Sequence, residues 1–274
     1  MKKQRETCMI KLIASDMDGT LLDSEKRMPA EILPVVRALR KEGVSFVIAS
    51  GRQYAALKRD LGELADEVIF IAENGALIME QDCQLFIDPM AAADIPEIIR
   101  ATRGLAGIHP VICCAGAAIV EESAPAEFIR NVQMYYDSSR VVPDLLAASE
   151  NLHDVCKVAF YDEGDAEHHE YPILRDLLAP RHAVILSGYN WVDIMKPGVD
   201  KGRAMKILQQ QRGLTPDACM AFGDYLNDLE MLSAVTESYA MDNALESIKA
   251  VSKYIAPSND DNGVIRVIKE RFNL

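Results

Sequence analysis

Four short apolar runs, each stopped by a polar break that contains glycine, constrain the fold of this 274-residue chain more than any other feature. The runs are Met9–Ala14, Val44–Ala49, Val68–Ala72 and Ala218–Phe222. Runs this short and continuous suit strands covered on both faces. Stretches of helical spacing lie between them. In Ala30–Lys41 the residues Ile32, Leu33, Val36 and Leu39 share a face, Pro34 is tolerated near the first turn, and Gly43 closes the helix. Tyr54–Leu61 and Lys201–Gln211 are the next clear helices, the latter closed by Gly213. Strand and helix in alternation predict an α/β fold with a Rossmann-like, doubly wound, mainly parallel sheet. Such sheets bind ligands at the carboxyl ends of their strands, which is where these four breaks fall.

The first break is Asp16-Met17-Asp18-Gly19. If the backbone stays extended, side chains two apart point the same way, and both carboxylates face one small volume. Like charges so placed need a cation or a shared proton. Taken alone, the pair could hold a hard cation, supply a nucleophile beside a proton carrier, or be an ordinary acidic turn. Ser50-Gly51 at the second break offers a hydroxyl and backbone N–H groups to an anion, or simply caps the next helix. Asn74-Gly75 reads as a hairpin turn into a returning strand, Ala76–Met79. Asp200 can cap the helix that follows it, but Lys201 in the first turn opposes the helix dipole, unless it answers an anion. Gly223-Asp224 ends the fourth run, with Asn227 and Asp228 opening a helix. If the first and fourth strands are neighbours, Asp16, Asp18 and Asp224 pool. Pooled carboxylates without His or Cys favour Mg2+. No GxxxxGK[ST] or kinase signature points to ATP as a donor.

From about Phe86 to Gly188 the pattern changes to mixed helices and strands with none of these motifs. We therefore expect a core of residues 1–85 and 189–274 interrupted by an inserted α+β cap over 86–188, with Trp191–Met195 returning the chain to the core. His168, His169 and Glu170 read as a solvated helix face, and Met134, Tyr135 and Tyr136 as cap interior. A length of 274 residues corresponds to about 1.8 domains at roughly 150 residues each.

The formal net charge of −13 argues against nucleic-acid backbones and anionic membranes as partners. A phosphorylated ligand would have to be held by local cations or a metal. Cys8, Cys83, Cys113, Cys114, Cys156 and Cys219 show no CxxC spacing and read as buried, reduced thiols; Cys113 and Cys114 should point to opposite faces of a strand. With no signal-like or membrane-spanning segment, a cytoplasmic protein, monomer or homodimer, is expected.

Asp16-Met17-Asp18-Gly19-Thr20-Leu21-Leu22, Ala49-Ser50-Gly51-Arg52, Glu73-Asn74-Gly75-Ala76, Pro197-Gly198-Val199-Asp200-Lys201-Gly202 and Phe222-Gly223-Asp224-Tyr225-Leu226-Asn227-Asp228 together resemble the motifs of haloacid dehalogenase-like phosphohydrolases of the Cof-like kind. The resemblance covers both ends of the chain well and the middle poorly. It implies a Mg2+-dependent phosphatase of small phosphorylated metabolites, such as sugar phosphates, working through an aspartyl-phosphate. Asp16 would be the nucleophile and a metal ligand. Asp18 would be the general acid/base, its backbone carbonyl also on the metal. Asp224 would complete the ligand set. Ser50, Gly51, Lys201 and Asn227 would hold phosphate, with Asp228, Arg52 and Asn74 in support. A phosphomutase of the same fold and a non-catalytic binder of phosphorylated metabolites are the alternatives.

Overall fold

A computed structural model describes residues 9–136 and 138–274. The chain divides into two compact units: Met1–Ser50, Leu61–Leu85 and Asp200–Leu274 form the first, and Gly51–Asp60 with Phe86–Val199 the second. Cys8 falls outside the described residues.

The first unit is built on an eight-stranded sheet in the order Tyr254–Ala256, Glu237–Met241, Cys219–Gly223, Leu12–Ser15, Ser45–Ala49, Ile69–Ala72, Leu77–Glu80, Cys83–Ile87. The strands from Tyr254 through Ile69 pair in parallel, and Leu77–Glu80 returns antiparallel to Ile69–Ala72 through the Asn74-Gly75 turn. This is the expected α/β architecture. Leu12–Ser15 and Cys219–Gly223 are buried along their whole length, as continuous apolar runs demand. They lie side by side with Ser15 opposite Phe222, although some 200 residues separate them in sequence. The chain leaves Leu12–Ser15 in one direction across the sheet and fills the other direction with its last quarter. The loops after these two strands therefore flank the point where strand order reverses, where open α/β sheets place their ligands. The helix Ile32–Lys41 buries Ile32, Val35, Val36 and Leu39; Val35 takes the place expected of Leu33, which is only half-buried.

The second unit holds a six-stranded sheet in the order Ala183–Gly188, Trp191–Met195, Val155–Asp162, Ile108–Cys114, Ala118–Glu121, Ser139–Val142. Apolar clusters cover both of its faces, so the adjacent Cys113 and Cys114 are both buried, each in a different cluster. Trp191–Met195 does not return to the first unit's sheet. It forms a hairpin with Ala183–Gly188 and pairs antiparallel with Val155–Asp162. A two-residue turn at Tyr189-Asn190 makes that local pairing the nearest available. Cys83 is exposed rather than buried, because it opens the edge strand Cys83–Ile87, while Cys156 and Cys219 are buried. Tyr136 is buried in the second unit; the side chains of Met134 and Tyr135 lie outside the described residues.

Glu170 departs most from expectation. The helix begins there, at Glu170–Leu178, and Leu174 and Leu178 follow at i+4 and i+8 on the apolar stripe. Glu170 shares that stripe, so it is buried instead of solvated, and among the described residues neither carboxyl oxygen has a hydrogen-bond partner. Burial, with the charges of Asp162 and Asp193 adding to it, pushes its carboxyl up to about 9. His168 meets expectation: it is exposed, beside Asp165 at 2.9 Å. Among the described residues no helix is long and apolar enough to cross a membrane.

Candidate active site

Asp16 is the first residue beyond Leu12–Ser15, and its N–H donates to the Phe222 carbonyl at 3.1 Å. That bond ties the first break to the fourth. Asp16, Asp224 and Asp228 each offer a carboxylate oxygen, all within 4.8 Å of one another. Lys201 opens the helix Lys201–Arg212, whose first N–H groups Asp200 caps by accepting from the Arg203 N–H at 2.7 Å. The lysine is fully buried, and its Nζ donates to Asp16 Oδ1 at 2.6 Å and to Asp228 Oδ1 at 2.7 Å. The misplaced cation of the sequence thus answers two carboxylates. Asp228 uses its other oxygen to accept from the backbone N–H groups of Asp224 and Tyr225, at 3.0 and 3.2 Å. Thr20 donates its hydroxyl to Asp224 Oδ1 at 2.7 Å.

Glycines make this closeness possible. A Cβ on Gly19, whose φ is +82°, would lie 2.4 Å from Asp224 Oδ2, and one on Gly75 would lie 2.2 Å from the Asp200 carbonyl. Asn74 stands beside that second contact with φ +52°, and Asn227 Nδ2 donates to its Oδ1 at 3.4 Å. Ser50 is buried; its N–H donates to the Ile71 carbonyl, and its own carbonyl accepts from the Asn74 N–H. The same unit therefore carries Asp16, Asp18, Ser50, Asn74, Lys201, Asp224, Asn227 and Asp228. Gly51 and Arg52 belong to the second unit, where the Gly51 carbonyl accepts from Lys157 Nζ and Arg52 pairs with Asp60.

Asp16 and Asp18 do not continue an extended strand. The strand ends at Ser15, and the N–H groups of Thr20, Leu21 and Leu22 all turn back to the Met17 carbonyl. The Asp18 carboxylate is left half-exposed, 2.8 Å from Lys26 Nζ, outside the group of three. Asp228 stands in that group instead. The family resemblance implies only a supporting place for it, and nothing local distinguishes it from a helix-capping aspartate. Thr20 was also overlooked, although it lies within the first motif.

Charge follows from this packing. Desolvation is the largest influence on Asp16 and raises its carboxyl; Lys201 pulls it down, and Asp228 and Asp224 push it up again. Burial likewise raises Asp224 to about 6, against the Thr20 hydrogen bond. Burial alone would discharge Lys201, but Asp16 and Asp228 together outweigh it and hold the ammonium above its ordinary value. Three buried or half-buried carboxylates share one ammonium. That excess of negative charge, on oxygen donors only, fits a hard divalent cation.

The profile of the haloacid dehalogenase-like hydrolase family matches residues 13–268. The 5-amino-6-(5-phospho-D-ribitylamino)uracil phosphatase YbjI of Escherichia coli is 28% identical over 261 residues, which cover 94% of this chain and 95% of that protein. The HMP-PP phosphatase of Klebsiella pneumoniae is 26% identical over 88% of each chain. A solved protein of Streptococcus mutans superposes with a TM-score of 0.83 at 26% identity, covering 97% of this chain and 100% of its own. The chain belongs to the haloacid dehalogenase-like hydrolase family, as a phosphatase.

Proposed function

We propose that this protein hydrolyses small phosphate monoesters with Mg2+, through a phosphoryl group carried on Asp16. The observation that carries the reading is the contact of Lys201 with both Asp16 and Asp228 inside a group of three converging carboxylates. Asp16, Asp224 and Asp228 are the side chains that would hold the ion, with the Asp18 carbonyl beside them. The bound ion would neutralise charge on the phosphoryl oxygens.

An Asp16 carboxylate oxygen attacks phosphorus, and the bond to the leaving oxygen breaks. Asp18 gives its proton to that oxygen as it departs. Its half-exposed position leaves it room to exchange protons with water. Water then attacks the same phosphorus, Asp18 takes the water's proton, and the bond to Asp16 breaks to release phosphate. Lys201, Ser50, Gly51 and Asn227 hold the phosphoryl oxygens. Asp228 keeps Lys201 aimed, and Arg52 and Asn74 support the loops. The inserted segment 86–188 selects the leaving group. The names of the relatives suggest the first substrates to try: the ribitylaminouracil phosphate and HMP-PP, beside sugar phosphates.

Phosphate release from p-nitrophenyl phosphate and from this panel, with and without Mg2+, tests the reading. Asp16→Asn is expected to lose at least about 10³-fold in kcat. Wild-type rates in that variant would refute it.

A further inference from the structure

We infer that Asn243, Asn259 and Asp260 form a clamp that fixes the loop following Asp18 and so positions the Asp18 carboxyl; this rests on Asp18 being the acid of the proposed reaction. Residues 19–27 lie outside the sheet, and their polar backbone groups need partners from elsewhere. Some they find among themselves: Leu21 and Leu22 donate to the Met17 carbonyl, and Asp23 and Arg27 close a turn. The rest come from a part of the chain more than 200 residues away. Asn243 Nδ2 donates to the Gly19 carbonyl at 2.8 Å. The Oδ1 of the same side chain accepts from the Asn259 N–H at 3.1 Å. Asn259 is buried, and its Nδ2 donates to the Leu22 carbonyl at 2.9 Å. Asp260 accepts twice from Ser24, once from its N–H and once from its hydroxyl, both at 2.8 Å.

The contacts bracket Asp18. Gly19, its neighbour, is held through its carbonyl, and Leu22, with which Asp18 forms an isolated bridge, is held through its own. A carboxamide is suited to this relay, because it donates and accepts from a short stem. Asn243 spends both functions, one on the loop and one on the next member of the clamp. Asn243 and Asp260 are exposed, so their bonds add little to folding stability. What they fix is position, and a shift of about 1 Å at a reacting group can cost roughly 10²-fold in rate.

The test compares two leaving groups. A sugar phosphate needs its departing alkoxide protonated, whereas p-nitrophenolate leaves with little help from an acid. Asn243→Asp keeps the acceptor for Asn259 but sets a carboxylate against the Gly19 carbonyl. It is expected to lower kcat on the sugar phosphate about tenfold or more, part of the roughly 10²–10⁴-fold that acid catalysis supplies. KM and the melting temperature should hold, and the pre-steady-state burst of p-nitrophenolate, which precedes the step that needs Asp18 as base, should stay within about threefold of wild type. Ser24→Ala, at an exposed site, should shift the same ratio in the same direction and carries the test if Asn243→Asp folds poorly. Equal losses in the rate of phosphoryl transfer from the two substrates, or none from either, overturn the inference. A wild type active on both, with Asp16→Asn inactive, separates that outcome from failure of the functional reading.

Discussion

Lys201 is the residue on which the site's electrostatics turn. Its ammonium is wholly removed from water and is compensated by Asp16 and Asp228. Breaking a buried pair from one side strands the other charge, which typically costs about 3–5 kcal/mol. Lys201→Met should therefore lower the unfolding free energy of the first unit by that order, read as a lower urea midpoint, and abolish phosphatase activity. Added Mg2+ should recover part of the stability, since a divalent cation can take up the two stranded carboxylates. Unfolding curves with and without the ion check both halves. The lysine's importance is visible in sequence only as an anomaly, a cation where the helix dipole disfavours one. Its partners could not be read there. The contact with Asp16 spans 185 positions and depends on two strands choosing to be neighbours. The bend after Ser15 was hidden for a similar reason. Nothing in Asp16-Met17-Asp18 says that the backbone stops being extended before the second aspartate.

At the scale of elements, strong periodicity served best. Ile32–Lys41, Tyr54–Leu61 and Lys201–Arg212 fall within two residues of where their spacing predicts. Ser139–Val142 escaped notice because it is short and half polar, an edge strand defined by its parallel pairing with Ala118–Glu121. His168, His169 and Glu170 read as one solvated helix face, but the helix begins only at Glu170, and the acidic, histidine-rich stretch hides its burial. That burial has a measurable consequence. The unfolded side chain ionises near 4.5, whereas in the folded protein it stays protonated until about 9. Its contribution to stability is fully present below pH 4.5 and is lost as pH rises towards 9, by up to about 1.4 kcal/mol per pH unit. Glu170→Gln cannot ionise. It should leave thermal stability unchanged near pH 4.5 relative to wild type and raise it progressively up to pH 8.5; parallel melting profiles would refute the assignment.

The whole molecule joins two units, each with its own buried interior, so a single unfolding free energy does not describe it. The carboxylate group lies in the first unit. An ion bound there at about 100 times its dissociation constant would add roughly 2.7 kcal/mol to that unit. Scanning calorimetry with increasing Mg2+ should move the transition of the first unit upward, and Asp224→Asn should cancel the shift. A uniform displacement that survives in Asp224→Asn would speak against this metal site. The alternation of strand and helix was legible from composition and pattern because it is locally encoded.

The adjacency of Leu12–Ser15 and Cys219–Gly223 also sets a schedule for biosynthesis. A ribosome completes Asp16 early, yet Lys201, Asp224 and Asp228 emerge only in the last third of translation. Until then the central strand of the large sheet has one flank open and its aspartate has no counter-charge. The insertion carries its own interior and can consolidate in the interval, since domains tend to fold as units during synthesis. A nascent chain arrested before residue 200 would consequently lack Lys201, and catalytic competence would appear only as the carboxyl-terminal strands dock.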